Sequence, residues 1–343
     1  MVSALAIGDK PDDSPVVSRQ MLIVERLENL ADYWCTTRSV LNWNCVFVIP
    51  PWLEVWWHEF GSMADSHLCV AKRNGHFIGV SPLLVRGEEV SFIGSSDLCD
   101  YFDFVVAPGS ERDFFNMLLD YARVKDMRGL NLGPVRSDST VFTYFVGMAR
   151  ERGGKVSCVA MDVTVELDLP GTWEGYLALL DGKQRHEVRR KLRKLRSAGR
   201  VHSRFIEKSE AVVDAMDVFL RLFRKSNQDK AMFMTAKRES FFRSLMRAMA
   251  QVGLLRLSIL ELDGDPVAAT ICFDYENTVY LYNSGYDPDY GSLSVGLVSK
   301  ILCIKDSIDR GRVKFDFLKG AEEYKYRLGG NEIPLYGCEV VLK

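Results

Sequence analysis

The stretch "YNSGYDPDYGSLSVG", residues 282 to 296, holds three tyrosines, three glycines and three serines but no lysine or arginine. Its first residues alternate like the end of a strand, and its last residues open a helix with Ser292 or Ser294 at the N-cap. The first N–H groups of such a helix lack intrahelical partners, and its macrodipole adds roughly half a positive charge. Gly291 and Gly296 carry no side chain to block an approach. That combination can hold a diphosphate without a basic residue. The plain alternative is a tight turn followed by an ordinary capped helix.

A second stretch, "GKQRHEVRRKLRKLRSAGR" at 182 to 200, sets nine basic residues against one glutamate. Val188, Leu192 and Leu195 form its buried stripe at helical spacing. It reads either as a solvated face or as a contact for phosphates, with Lys183, Arg185 and Arg189 as the substrate-binding residues. Single-stranded nucleic acid would want interleaved aromatics, which are missing apart from His186. Other constellations fail: His58-Glu59 has no second histidine at zinc spacing, and neither a G-x-S-x-G nor a Walker sequence occurs, so no metal site is expected. "WLEVWWHEF" spaces Trp52, Trp56 and Phe60 as one helical face, a packing surface before it is a platform for sugar.

Two matching segments must position these residues. "LLRLSILELDGDPVAATICFDYENTVYLYNSGY" alternates three times, with turns at Asp263-Gly264-Asp265 and Glu276-Asn277. "HLCVAKRNGHFIGVSPLLVRGEEVSFIGSS" does the same, with turns at Asn74-Gly75 and Gly87-Glu88. Each meander precedes a loop, an amphipathic helix, a glycine stop (Gly129 or Gly311) and a strand. In the second such helix Leu297, Ile301, Ile304 and Ile308 form the apolar stripe. The first helix opens with Glu111 and Asp113, carboxylates that complement the dipole and would repel a phosphate. An anion site therefore belongs to the second copy alone.

The expected fold is α/β (α+β): two tandem domains, each a mixed, mainly antiparallel sheet flanked by helices. The division is a tail over 1–18, an N-terminal domain over 19–160 without a donor site, and a C-terminal domain over 161–343. "VTVELDL", 163 to 169, is the first strand of the latter, with helices near 172–198 and 209–252. This order differs from the βαβ alternation of a dinucleotide-binding sheet.

The 343 residues are 47 % hydrophobic, enough for two cores, and the 44 basic and 46 acidic side chains nearly cancel. The overall field points to neither DNA nor a membrane. Eight cysteines without a C-x-x-C pair, no signal-like start and no apolar run of about 20 residues imply a cytoplasmic protein with no membrane span. The oligomeric state is not encoded in any of these features.

"FLKGAEEYKYRLGG", "GYDPDYGSLSVG", "ELDGDPVAA" and "PPWLEVWWHEFG" together resemble the CelD/BcsL-like branch of the GNAT acyltransferase superfamily. Those proteins have tandem acetyltransferase-like folds and are related to the Fem peptidyltransferases; the likeness runs from about residue 40 to the end. It implies acyl-CoA as a cosubstrate, with no permanently bound cofactor, gripped around Ser292, Ser294, Val295 and Gly296. The implied reaction is acyl transfer to an amine of a sugar, a lipid-linked saccharide or an envelope or exopolysaccharide precursor. Members usually read "GDEPYKRRWG"; here Glu323 replaces the proline and Leu328 the tryptophan, which bears on the acceptor more than on the donor.

Acyl transfer needs a neutral amine, a stabilised oxyanion and a proton for the departing thiolate. In "KFDFLKG" Asp316 lies on the strand face opposite Phe315 and Phe317, placed to orient or deprotonate an amine. Lys325 is placed to hold an acceptor phosphate or the oxyanion. Tyr282, Tyr286 and Tyr324 offer hydroxyls as candidate acids, Tyr282 being counted with the substrate contacts. The alternatives are a Fem-like aminoacyl-tRNA-dependent transferase, in which the basic helix meets tRNA, and a non-catalytic saccharide- or nucleotide-binding regulator.

Overall fold

Left-handed turn residues divide the chain into its meanders. In the computed structural model, which describes residues 20–62 and 64–342, Asn74, Gly75 and Gly87 have positive φ in the first meander. Asp263, Gly264, Glu276 and Asn277 do so in the second. The expected tail over 1–18 lies outside the described residues.

The first half supplies β1 (Gln20–Glu25), β2 (Asp65–Arg73), β3 (His76–Arg86), β4 (Glu89–Phe92), β5 (Val105–Val106) and β6 (Gly129–Arg136). Its helices are α1 (Leu30–Thr37), α2 (Pro50–Phe60), α3 (Glu111–Val124) and α4 (Val146–Glu151). β7 (Lys155–Asp168) then leads to α5 (Trp173–Leu179), α6 (Gly182–Ala198), β8 (Val201–Ile206), α7 (Ser209–Ser226), α8 (Gln228–Phe233) and α9 (Ala236–Gln251). The second meander is β9 (Leu255–Leu262), β10 (Asp265–Tyr275) and β11 (Thr278–Tyr286). α10 (Val295–Asp309), β12 (Lys314–Lys319), α11 (Glu323–Arg327) and β13 (Asn331–Val341) finish the chain.

All the strands join one mixed sheet in the order β1-β2-β3-β4-β6-β13-β7-β12-β11-β10-β9-β8, with β5 beside β3. The expected mixed, mainly antiparallel architecture is present. Two details differ from the sequence reading. β7 runs unbroken through the region where the halves were expected to part, and β13 pairs with β6 on one side and β7 on the other, so the last strand stitches the halves together. Gly311 (φ 71°) is the stop expected for α10, but α3 stops at Asp126 (φ 51°), and Gly129 begins β6. An aspartate tolerates the left-handed region better than most residues, which is why the glycine was not needed there.

Trp52 is fully buried, edge-on to Phe47 of the first half and to Phe273 and Tyr282 of the second. The tryptophan helix α2 is thus core between the halves. A separate cluster that includes Leu167, Tyr176, Val188, Leu281, Ile301, Ile304 and Phe315 holds α5, α6 and α10 on the other face of the sheet.

Candidate active site

Each half contains one parallel strand pair, and each pair is short. β4 and β6 pair only over Glu89–Ser91 and Gly129–Asn131; β11 and β12 pair only over Thr278–Tyr280 and Lys314–Asp316. Beyond those residues the strands part. In the second half the gap is widened by a bulge: the β10–β11 register steps from Ile271↔Asn283 to Cys272↔Leu281, leaving Tyr282 as the extra residue.

At the open end of the β11–β12 gap lies a groove of about 400 Å³, bounded by Ser284, Tyr286, Ser294 to Leu297, Glu322 and Tyr324. The chain enters α10 through a 3-10 turn, Pro288–Leu293, capped by the Asp287 carboxylate, which accepts from the Asp289 N–H at 3.1 Å. Lys225 of α7 holds Asp287 and Asp289 at 2.7 Å, so its charge offsets one of the loop's two negative charges. Ser294 occupies the N-cap position with left-handed backbone (φ 55°) and makes no side-chain cap. Its carbonyl accepts from Leu297 and Val298, whereas the N–H groups of Val295 and Gly296 have no protein acceptor among the described residues.

The basic groups missing from the 282–296 stretch arrive from elsewhere. Lys191 of α6 donates to Ser294 Oγ at 2.9 Å, and Lys194 to the Ser292 carbonyl at 2.8 Å. Lys230 of α8 donates to the Ser284 carbonyl at 2.5 Å. Lys300, only 8 % exposed, folds back to the Gly296 carbonyl at 3.0 Å and lies 5.1 Å from the centre of the Tyr324 ring. Among the described residues neither Lys230 nor Lys300 has an ion-pair partner; the groove's one carboxylate, Glu322, is bound to Lys325 at 2.8 Å. Burial, and then the charge of Lys230, push the Lys300 ammonium down to about 8. Burial likewise lowers Lys230. A buried ammonium, Lys300, and a half-buried one, Lys230, that repel each other beside a free helix start make a cavity suited to an anion.

The residues singled out from sequence scatter around this groove. Tyr286, Tyr324, Ser294, Val295 and Gly296 line it, and Ser292 sits at its edge through its carbonyl contact with Lys194. Asp316 does face away from Phe315 and Phe317, but toward the first half and with no exposure. Its carboxylate accepts from Tyr101 (2.7 Å), Thr164 (3.0 Å) and the Leu318 N–H (2.7 Å). Burial, and then the charge of Glu166, raise it to about 6. Fully buried and engaged by these three donors, it holds the seam between the halves. Lys325 is also corrected: its ammonium is fully used by the carbonyls of Leu318, Lys319 and Gly320 and by Glu322, clamping the turn after β12. No proton is left for an oxyanion or phosphate.

Tyr282 is buried, with its hydroxyl on the Leu98 carbonyl at 3.0 Å, so it braces the halves and does not contact substrate in this arrangement. Lys183 is exposed, Arg185 half-exposed, and Arg189 pairs with Glu174 at 3.3 Å beside a different groove. The face of α6 that meets the α10 start carries Lys191 and Lys194 instead, because Val188, Leu192 and Leu195 fix the rotation of the helix. Gly296 is required by packing: a Cβ there would fall 2.8 Å from the Tyr286 ring. Gly291 has open space around it.

Sequence reasoning missed Lys191, Lys194, Lys230 and Lys300. Lys300 left a signal, a lysine between Leu297, Ile301 and Ile304 on a helix that is otherwise apolar on that side. The others depend on how α6 and α8 dock, which no local pattern reveals.

The architecture is the expected mixed α/β one, two similarly built halves sharing one long sheet. Residues 182–326 match the family model described as "Acetyltransferase (GNAT) domain", a span that contains every wall of the groove. No curated protein matches the sequence. Among solved structures, FemX is similar over 94 % of this chain and 97 % of its own, at 10 % identity and a TM-score of 0.64. A conserved protein of unknown function from Bacteroides thetaiotaomicron covers 94 % of this chain and 100 % of its own, at 16 % identity and 0.64. The C-terminal domain of a putative lysylphosphatidylglycerol synthetase from Agrobacterium fabrum covers 82 % and 84 %, at 13 % identity and 0.55. At such identities the likeness is one of fold. No helix among the described residues is long and apolar enough to cross a membrane.

Proposed function

We propose that the protein is an N-acyltransferase of the CelD/BcsL-like kind, with the donor in its second half and none in its first. The donor is acyl-CoA, and its diphosphate lies against the Val295 and Gly296 N–H groups. The observation that carries this reading is the pair of ammonium groups in an open groove, Lys300 buried and Lys230 half-buried, without a carboxylate partner among the described residues. An anion there gains two charge-assisted contacts and relieves their mutual repulsion.

The chain divides functionally near residue 160. A polar cavity of about 340 Å³ on the opposite face of β11 and β12, lined by Tyr101, Arg136, Glu166, Tyr280 and Lys314, is where we place the saccharide-type acceptor. Its amine attacks the thioester carbon through the gap between the strands; the carbon–sulfur bond breaks and the thiolate takes a proton. Tyr286 and Tyr324 supply candidate hydroxyls. The reaction fits a cytoplasmic enzyme acting on an envelope or exopolysaccharide precursor.

A donor carried on tRNA is the second reading, favoured by the FemX-like architecture. A thermal-shift series with CoA, acyl-CoAs, nucleotide sugars and a charged tRNA separates them. Acyl-CoA at a hundred times its dissociation constant should stabilise the protein by about 2.7 kcal/mol. Stabilisation by charged tRNA alone would select the second reading, and response to none of them would remove both.

A further inference from the structure

A second groove, of about 510 Å³, runs along α6 and α10 beside the Leu302–Lys305 face of α10. Its composition differs from that of the donor groove. The floor is apolar: Leu177 and Ile301 are buried, and Leu192, Leu302 and the Trp173 ring are half-buried. The rim is cationic, with Arg189, Arg193 and Arg196 on one side and Lys305 on the other.

The arginines are not randomly placed. Arg185, Arg189, Arg193 and Arg196 recur at intervals of four, four and three along α6, one straight stripe about 17 Å long. Arg189 is paired with Glu174, and Lys305 with Asp309. Arg193 and Arg196 have no carboxylate partner among the described residues, although acidic side chains slightly outnumber basic ones over the whole chain.

We infer that this groove binds an anionic phospholipid, the headgroup phosphate on Arg193 and Arg196 and an acyl chain along the half-buried Trp173, Leu192 and Leu302 side chains. Bidentate guanidinium groups suit a phosphate, and only a ligand with an apolar part removes the floor from water. Nucleic acid fits less well, because the single indole at one end provides no run of stacking faces. The site is independent of the donor groove and brings the enzyme to the surface of an anionic bilayer.

The test uses the full chain with monomeric 1-myristoyl-lysophosphatidylglycerol, glycerophosphoglycerol, a 20-nucleotide RNA, and vesicles of phosphatidylcholine with and without 30 % phosphatidylglycerol. We expect the lysolipid to bind at least tenfold more tightly than glycerophosphoglycerol, and the protein to sediment only with the anionic vesicles. The double variant Arg193→Ala/Arg196→Ala should lose tenfold or more on both, keeping its melting temperature and its stabilisation by acyl-CoA. Arg190→Ala/Lys208→Ala, which removes equal charge from outside the groove, should lose less than threefold. Equal losses in the two double variants would reduce the effect to diffuse charge and overturn the site. Lack of lysolipid binding, or tighter binding of the RNA that is lost in Arg193→Ala/Arg196→Ala, would overturn it as well.

Discussion

The two halves build the same gap and treat it oppositely. In the first, the chain returns into its own opening: Phe102 bridges to Val135 beside β6, donates its N–H to the Pro134 carbonyl at 2.8 Å, and stacks on Phe92 of β4. The start of α3 is likewise occupied, since Glu111 accepts from the Gly109 N–H at 3.1 Å and Asp113 is paired with Arg73. In the second half no aromatic plug fills the gap among the described residues, and the start of α10 faces lysines. An identical strand splay becomes core when the protein fills it and a groove when the protein lines it with unpaired charge.

The largest effect that would break this comparison comes from backbone contact. A Cβ on Gly285 would lie 2.4 Å from the Phe223 backbone nitrogen of α7, and one on Gly79 would lie 2.3 Å from the Phe114 ring of α3. Gly285→Ala should cost about 3 kcal/mol or more in denaturant unfolding, because neither backbone can move. Gly79→Ala should cost less, since a ring can shift. The reverse order would mean that α7 docks less tightly than described.

The charge asymmetry can be sharpened next. Lys230→Ala/Lys300→Ala should weaken CoA binding by roughly a hundredfold in calorimetry, about 2.7 kcal/mol, whereas Glu111→Ala/Asp113→Ala should create no second site. Lys300 also carries a pH signature. Its folded pKa, about 8, is depressed below the ordinary lysine value, so its contribution to stability is present above about 10.5 and is lost as pH falls through 8. Unliganded wild type should therefore gain stability relative to Lys300→Met between pH 8 and 10.5.

Asp316 tests the seam in the opposite direction. Its folded pKa is raised to about 6, so its stabilising contribution is complete below about pH 4 and disappears as pH rises through 6. Wild type should lose about 2–3 kcal/mol relative to Asp316→Asn across that window, read by urea unfolding. Asp103, also raised to about 6 and hydrogen-bonded to Thr140, adds a similar slope that the Asp316 variant keeps. The smallest effect is local: Gly296→Ala should cost about 1 kcal/mol by displacing the Tyr286 ring, and Gly291→Ala no more than about 0.5 kcal/mol.

The meanders were legible in the sequence because left-handed turn residues and two-residue alternation are local properties. So was the placement of Ser294, Val295 and Gly296 at the start of α10, and the contrast with Glu111 and Asp113 at the start of α3. The roles of Asp316, Lys325 and Tyr282 were not, since each depends on what the other half or a later turn places opposite it: Tyr101, the Leu318–Gly320 carbonyls and Leu98 respectively. The basic run was visible, but its phase was decided by burial of Val188 and Leu195, which turned Lys191 and Lys194 to the start of α10 and the arginine stripe away from it.

Amide hydrogen exchange with and without CoA tests the difference between the halves most directly. Slower exchange at Val295 and Gly296, with no change over residues 92 to 116, is the predicted result. Unchanged exchange at those two amides under saturating CoA, or protection appearing at the start of α3, would contradict it.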